Sequence, residues 1–415
     1  MTKTWIIALA ASVTLALAGC GGSAPGGTSG GAGAQTGPIK IGSLHPLSGS
    51  SAADGQQLEN GAKLAVEAIN AAGGVKSLGG AKLELTSGDT QGKPNIGQSE
   101  AQRLIQDGAV AIVGTYMSAV SANVASVAER NQVPFVMDIT GDDAILSHGY
   151  KYSFRLQPPT MRIGAESARH LAELSEQQGK PVKKVAYLHE QSAYGTSAMT
   201  GFREEAERLG ITVDPVISYD PVGVSDLTTQ ITQVKASGAD VLAVTGYYRD
   251  GVLAAKAVGS VKPGLDAVYG VADGAFDLPQ FPKDAGAAGE GFFDVNYRLD
   301  LNNPETKRLA DTYKQRFGDE IRTGAVLAYD AVRTIATGLE KSGSRDPKKL
   351  RDVISSGSLP SMLVGKGPVK FDATGQNVNA IPVMMQVHDG AVQVVHPKEH
   401  AEPEARPDYP AAPGS

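Results

Sequence analysis

The 415-residue chain carries a formal net charge of −6 and a single cysteine, and its length exceeds what one hydrophobic core usually takes, so two domains are expected. The mildly acidic balance, with no long Lys/Arg tract, argues against nucleic acid or an anionic membrane surface as the main partner. With Cys20 alone, no intrachain disulfide can form, and the 50 glycines among the 415 residues fit many tight turns between short elements.

Behind Met1 come Lys3 and an apolar stretch from Trp5 to Ala18, too short to span a bilayer as a mature helix and flanked like a secretory signal. It closes on Leu17-Ala18-Gly19-Cys20 and opens onto a Gly/Ala/Ser/Thr tract. This arrangement resembles the bacterial lipoprotein signal. The resemblance implies that residues 1–20 direct export, that Cys20 carries lipid, and that residues 21–37 form a flexible linker. The bland alternative is that Cys20 is only a small apolar filler. No later segment offers the ~20 consecutive apolar residues of a membrane span, so the body is expected outside the cytoplasm, tethered by its lipid.

From Ile39 the pattern alternates strand and helix. Strands are expected at Ile39 to Leu44, Leu83 to Asp89, Val110 to Val113 and Val133 to Met137. Between them lie a helix carrying Leu58, Ala62, Ala65, Val66 and Ile69 on one face and stopped by Gly73-Gly74, and helices from about Pro94 to Asp107 and Ser118 to Asn131. A second series follows Arg155: helix Met161 to Gln178, strand Val185 to His189, helix Ser197 to Leu209, strand Val213 to Tyr219, helix Leu227 to Ala236, strand Val241 to Thr245 and helix Val252 to Val258. This is the signature of two α/β units with parallel sheets and crossover helices. Residues 398–415, rich in Pro, Ala and Glu without apolar periodicity, read as a disordered tail.

A ligand of two such units sits in the crevice outside the carboxyl ends of their strands. The first unit offers Leu44-His45-Pro46-Leu47-Ser48-Gly49, Gly114-Thr115-Tyr116-Met117-Ser118 and Asp138-Ile139-Thr140-Gly141 there. The second offers Glu190-Gln191-Ser192-Ala193-Tyr194-Gly195, Gly246-Tyr247-Tyr248 and Ala272-Asp273-Gly274. Ser118, opening a helix, suits a carboxylate held by its hydroxyl and the first-turn amides, and Thr140 with the amides around Ile139 to Gly141 would complete the cradle. Ser118 as a simple N-cap and Thr140 as a turn residue are the alternatives.

These segments in this order, with Glu67-Ala68-Ile69-Asn70-Ala71-Ala72-Gly73-Gly74, resemble the leucine/isoleucine/valine-binding family of periplasmic-binding-protein-type lipoproteins, the extracytoplasmic receptors of ABC importers. The resemblance runs from about Ile39 to His396. It implies a periplasmic binding protein type 1 fold: α/β, two doubly wound lobes with parallel central sheets joined by a three-segment hinge. Lobe 1 would comprise residues 38–156 plus 290–375, and lobe 2 residues 157–289 plus 376–397. It also implies capture of an amino acid or related small polar solute by hinge closure, ABC permease subunits as partners, a monomer, and no cofactor. Within it Asp273 would take the ligand's ammonium group, with a turn-forming Asp-Gly as its alternative. Tyr194 and Tyr247 would close over the ligand, Tyr116 would line its side-chain pocket, and Tyr248 would pack on the opposite side.

The chain departs from the family where an aromatic often follows Leu47-Ser48-Gly49. Asp54 in that neighbourhood makes the side-chain pocket more polar than one for leucine, or caps the following helix. Gly141 stands where many relatives carry a small hydroxyl residue. A receptor that senses rather than transports is an open alternative, since the same fold serves both. An exported enzyme is the competing class. The one G-x-S-x-G match, Gly27-Thr28-Ser29-Gly30-Gly31, lies in the linker where no strand-turn-helix elbow forms, and the seven histidines show no metal-ligand spacing.

Overall fold

The computed structural model describes residues 37–411; the signal segment, Cys20 and nearly all of the linker lie outside the described residues. In the first lobe β1 (Ile39–His45), α1 (Ala52–Ala71), β2 (Leu83–Asp89), α2 (Pro94–Gln106), β3 (Ala111–Gly114), α3 (Ser118–Asn131), β4 (Phe135–Met137), the short α4 (Ala144–Ser147) and β5 (Ser153–Arg155) alternate. Their sheet runs β2-β1-β3-β4-β5, and the pairings are all parallel. β3 and β4 are wholly buried because helices cover both faces, as parallel sheets require.

The second lobe continues with α5 (Thr160–Gln177), β6 (Lys184–Glu190), α6 (Ala193–Arg208), β7 (Thr212–Tyr219), α7 (Thr228–Ser237), β8 (Val241–Thr245), α8 (Tyr248–Val261), β9 (Ala267–Val271), the short α9 (Phe281–Ala285) and β10 (Phe293–Asn296). The chain then returns to the first lobe for α10 (Pro304–Phe317), α11 (Thr323–Ser342) and α12 (Pro347–Ser356), and ends with β11 (Val383–His388) and β12 (Ala391–His396). The second sheet runs β12-β11-β10-β9-β8-β6-β7. Apolar clusters fill both faces of each sheet: Ile41, Val113 and Leu327 against Ile112, Val124 and Phe135 in the first, Tyr187 and Phe202 against Leu188 and Leu242 in the second. Among the described residues no helix is long and apolar enough to cross a membrane.

Two expectations need correction. β10 pairs parallel with β9 in the second sheet, so the return crossing follows Asn296 and not residue 290. The second sheet keeps a parallel centre and adds an antiparallel edge, β11 pairing with β10 and β12 with β11. Residues 398–411 are packed: Ala405 and Tyr409 are 8% and 5% exposed within the second-lobe core, and the Asp408 amide and carbonyl both bond the side chain of Gln386. Two apolar anchors and a buried amide hold a segment whose composition looks unstructured.

The crossings after β5 and before β11 run side by side. Asn377 N donates to Arg155 O, and Asn377 Nδ2 to Leu156 O at 2.9 Å. The buried Arg155 ties them together, its Nε donating to Gln376 Oε1 at 2.7 Å and its Nη1 to Asp142 O at 2.9 Å.

Candidate functional site

Strand carboxyl ends of both lobes meet at one cleft, which holds two adjoining cavities of about 70 and 50 Å³. Tyr116, Ile139, Gly274, Asn296 and Tyr297 line both and form the partition. The lobes touch here. The Tyr116 ring lies 5.8 Å from that of Tyr247, and Arg322 sits 5.1 Å over the ring of Tyr248. Gly141 is pressed so close to the second lobe that a Cβ would stand 2.6 Å from the Tyr194 ring and 2.7 Å from Thr160 Oγ1.

One cavity, here the head chamber, is bounded by Ser118, Gly141, Gln157, Thr160, Tyr194 and Tyr247 beside the partition, and no charged side chain lines it. Ser118 opens α3, and its Oγ accepts the amides of Gly141 and Asp142, each at 3.1 Å. That leaves the hydroxyl proton to donate. The Ile139 amide is spent on Asp138 Oδ1 at 2.6 Å. Tyr194 is held by its hydroxyl, which donates to the Ala272 carbonyl, and burial pushes its pKa well up. Gln157 is 2% exposed, and its Oε1 has no partner among the described residues.

The other cavity, the polar chamber, is bounded by Asp54, Gln57, Leu58, Asp277, Leu278, Arg322, Thr323 and Gly324 beside the same partition. α1 and α11 bring these together. They cross so tightly that a Cβ on Gly61 would fall 1.9 Å from the Ala325 carbonyl oxygen, which sets the start of one helix beside the start of the other. Asp54 Oδ1 accepts Arg322 Nη1 at 2.5 Å, and Oδ2 accepts the Tyr116 hydroxyl at 3.2 Å. Burial raises the Asp54 pKa against the opposing pull of Arg322. Burial also lifts Asp277 to about 6, opposed by the nearby Arg298. Asp54 therefore lines the polar chamber and makes no cap bond to α1.

Two expected contacts lie behind the walls. Thr140 is fully buried, and its hydroxyl joins Ser121 Oγ at 2.6 Å and donates to the Ile139 carbonyl. Asp273 is also fully buried: Oδ1 accepts the amides of Ala275 and Phe276 at 2.9 and 3.3 Å, so the carboxylate turns the loop, and it lines neither cavity. Burial holds it well above the ordinary carboxylate range. Tyr248 packs as expected, donating to Asp284 Oδ2 at 2.6 Å. Sequence reasoning missed Gln57, Gln157, Asp277, Asn296, Tyr297, Arg322 and Thr323. Asp277 was the next acid after Asp273, and Arg322-Thr323-Gly324 has the marks of a helix start.

Beneath the cleft, His45 at the end of β1 is fully buried between Asp138 Oδ2, 2.7 Å from Nε2, and Glu59 Oε2, 3.3 Å from Nδ1. Burial alone would lower its pKa, but the two carboxylates raise it to about 9. Glu59, whose burial works the other way, is pulled down to about 2 by His45, Ser43 and Ser87. Elsewhere the exposed Glu290, His388 and Asp389 bring possible metal ligands together among the described residues, with Glu290 accepting the amides of Asp389 and Gly390.

The chain is similar to Leu/Ile/Val-binding protein homolog 8 of Brucella abortus, with 30% identity over 88% of this chain and 91% of that one. It is 29% identical to Leu/Ile/Val-binding protein homolog 7 of Brucella suis, over 91% and 96% of the two chains. Its fold matches the branched-chain amino acid transporter substrate binding protein LivJ of Streptococcus pneumoniae, solved with isoleucine, at a TM-score of 0.75 and 24% identity over 87% and 100% of the chains. It also matches an ABC transporter solute binding protein of R. palustris, solved with benzoate, at 0.74 and 20% over 90% and 99%. Residues 38–391 match the periplasmic binding protein family throughout, and with two α/β lobes meeting at a cavity-bearing cleft the chain belongs to that family.

Proposed function

We propose that this chain is the substrate-binding component of an ABC importer, capturing an amino-acid-like solute between its lobes outside the cytoplasm. The observation that carries this reading is the cleft, where Ser118 of one lobe and Tyr194 of the other face a single chamber. The Ser118 hydroxyl and the first turn of α3 suit a carboxylate, and Tyr247 covers the same space. The names and bound ligands of the relatives support the substrate class. In the head chamber the unpartnered Gln157 carbonyl is available to an ammonium group, and Asp273 Oδ2, also without a partner among the described residues, lies behind that wall between Ala272 and Gly274. A panel of amino acids and other small carboxylates, read by thermal shift, tests the reading. A true ligand at 100 times its Kd stabilises the protein by ~2.7 kcal/mol, and a flat response across the panel would overturn it.

Capture proceeds by closure about the three crossings, which shields the solute from water. Gly141 is the place to test this. In Gly141→Ala the new methyl group meets a Tyr194 ring anchored through its hydroxyl, so the lobes stop short of contact. Overpacking costs ~1–3 kcal/mol, so affinity is expected to fall roughly tenfold while scattering on ligand addition shows reduced compaction. Unchanged affinity and compaction would refute closure at this contact.

The reading includes a lipid anchor at Cys20. Cys20→Ser should move the protein from the membrane fraction to the soluble one with ligand affinity unchanged; a variant that stays membrane-bound contradicts the anchor.

A further inference from the structure

The polar chamber holds more hydrogen-bonding capacity than its own residues use. Gln57 Oε1, Arg322 Nε and Thr323 Oγ1 have no partner among the described residues, and all three side chains line it. Gln57 and Thr323 are only 6% and 2% exposed. Thr323 also opens the 20-residue α11, which has no side-chain cap, so the free amides and positive dipole end of that helix stand in the same wall. Across from these donors is the Asp277 carboxylate, whose neighbour Arg298 bonds the Asp277 main-chain carbonyl at 2.5 Å.

A buried polar group without a partner is an exception that calls for a ligand, a water or an ion to complete it. An aliphatic tail would leave all of these groups dry and unpaired. A carboxylate tail would meet Asp54 and Asp277, with Arg322 the one cation in the chamber wall among the described residues and already paired to Asp54. An ammonium tail would find Asp277 but would leave Arg322 Nε–H and the α11 amides, all donors, without an acceptor. A neutral group that accepts on one side and donates on the other finds partners on both walls. Its carbonyl accepts two of the donors offered by Arg322 Nε–H, the Thr323 hydroxyl and the α11 amides, and its NH2 gives to Gln57 Oε1 and Asp277.

We infer that the solute is an amino-acid-like molecule with a carboxamide or ureido end, seated in the polar chamber while its carboxylate lies at Ser118. This rests on the capture reading above and names the substrate class within it. Calorimetric titration with L-glutamine, L-citrulline, L-glutamate, L-norleucine and L-leucine tests it. Glutamine or citrulline should bind roughly a hundredfold more tightly than norleucine, as several unpaired buried groups demand. Thr323→Val and Gln57→Leu should each shrink that ratio about tenfold, and Thr323→Ser should restore it. Because the readout is a ratio of two affinities on one variant, any loss of folded protein cancels. Leucine, norleucine or glutamate binding as tightly as the best amide would overturn the inference and leave capture standing, as would a ratio unmoved in both Thr323→Val and Gln57→Leu. Binding by none of the five would overturn this inference, while the capture reading stands or falls with the wider panel above.

Discussion

His45→Gln is expected to destabilise the first lobe by about 3–5 kcal/mol, the usual loss when one partner leaves a buried ion pair. The substitution keeps a polar side chain of similar size but strands the carboxylates of Glu59 and Asp138, both almost wholly buried, without their shared cation. The pH dependence identifies the cause. In the fold the imidazolium is favoured, its pKa moving from 6.5 to about 9, equivalent to about 3 kcal/mol. That stability is complete below pH 6.5 and is lost as pH rises through about 9. Glu59 moves from 4.5 down to about 2, so its share is complete above pH 4.5 and is lost as pH falls through about 2. The melting temperatures of parent and variant should therefore differ most between about pH 4.5 and 6.5, by roughly 6–20 °C for a domain of 150–250 residues, and converge by pH 9–10. A difference that stays constant from pH 6 to 10 would show that packing, not charge, is what His45 supplies.

Arg155→Met should cost a similar amount, about 3–5 kcal/mol, and should also weaken ligand binding, because this guanidinium ties the two crossings and the cleft loop at once. It holds Gln376 on one side and the carbonyls of Thr140 and Asp142 on the other, with Asp143 Oδ1 3.3 Å away. Burial lowers the Arg155 pKa against the pull of Asp143, and burial likewise raises that of Asp143. Methionine fills the stem volume and supplies none of these donors, so the loop bearing Gly141 and the adjacent strand of the crossing both lose their tie. Denaturant unfolding reads the first effect and titration with the best panel ligand reads the second. A variant that unfolds earlier yet binds with parental affinity would show that Arg155 is structural only.

Much of the fold was legible because a buried parallel strand and an amphipathic helix write different periods into the chain. Val241–Thr245 and Ser118–Asn131 fall where the apolar pattern puts them. The far end was not legible. Tyr409 and Ala405 anchor a segment with no period at all, and β10 joins the second sheet by pairing with β9, which no local signal announces. In the cleft, Ser118, Tyr116, Tyr194 and Tyr247 follow from strand ends and face the chambers. Asp273 and Asp277 sit in one loop, and which lines a chamber depends on a turn closed by the amides of Ala275 and Phe276. The Asp-Gly pair at 273–274 carried that turn signal, though it did not say which way the carboxylate would point. Arg322 and Thr323 reach Asp54 and Gln57 only through the crossing of α1 and α11, two helices separated by most of the chain.

The packed C-terminal segment makes the molecule its own strain gauge. Gly37 leads into β1 of the first sheet, while the Ala411 amide donates to the Asp266 carbonyl at the base of β9 in the second. The ends of the described chain are thus bolted to different lobes. A donor dye beside Gly37 and an acceptor beside Ala411 would report the proposed closure as a change in energy transfer, with no label near the cleft and no residue of either chamber altered.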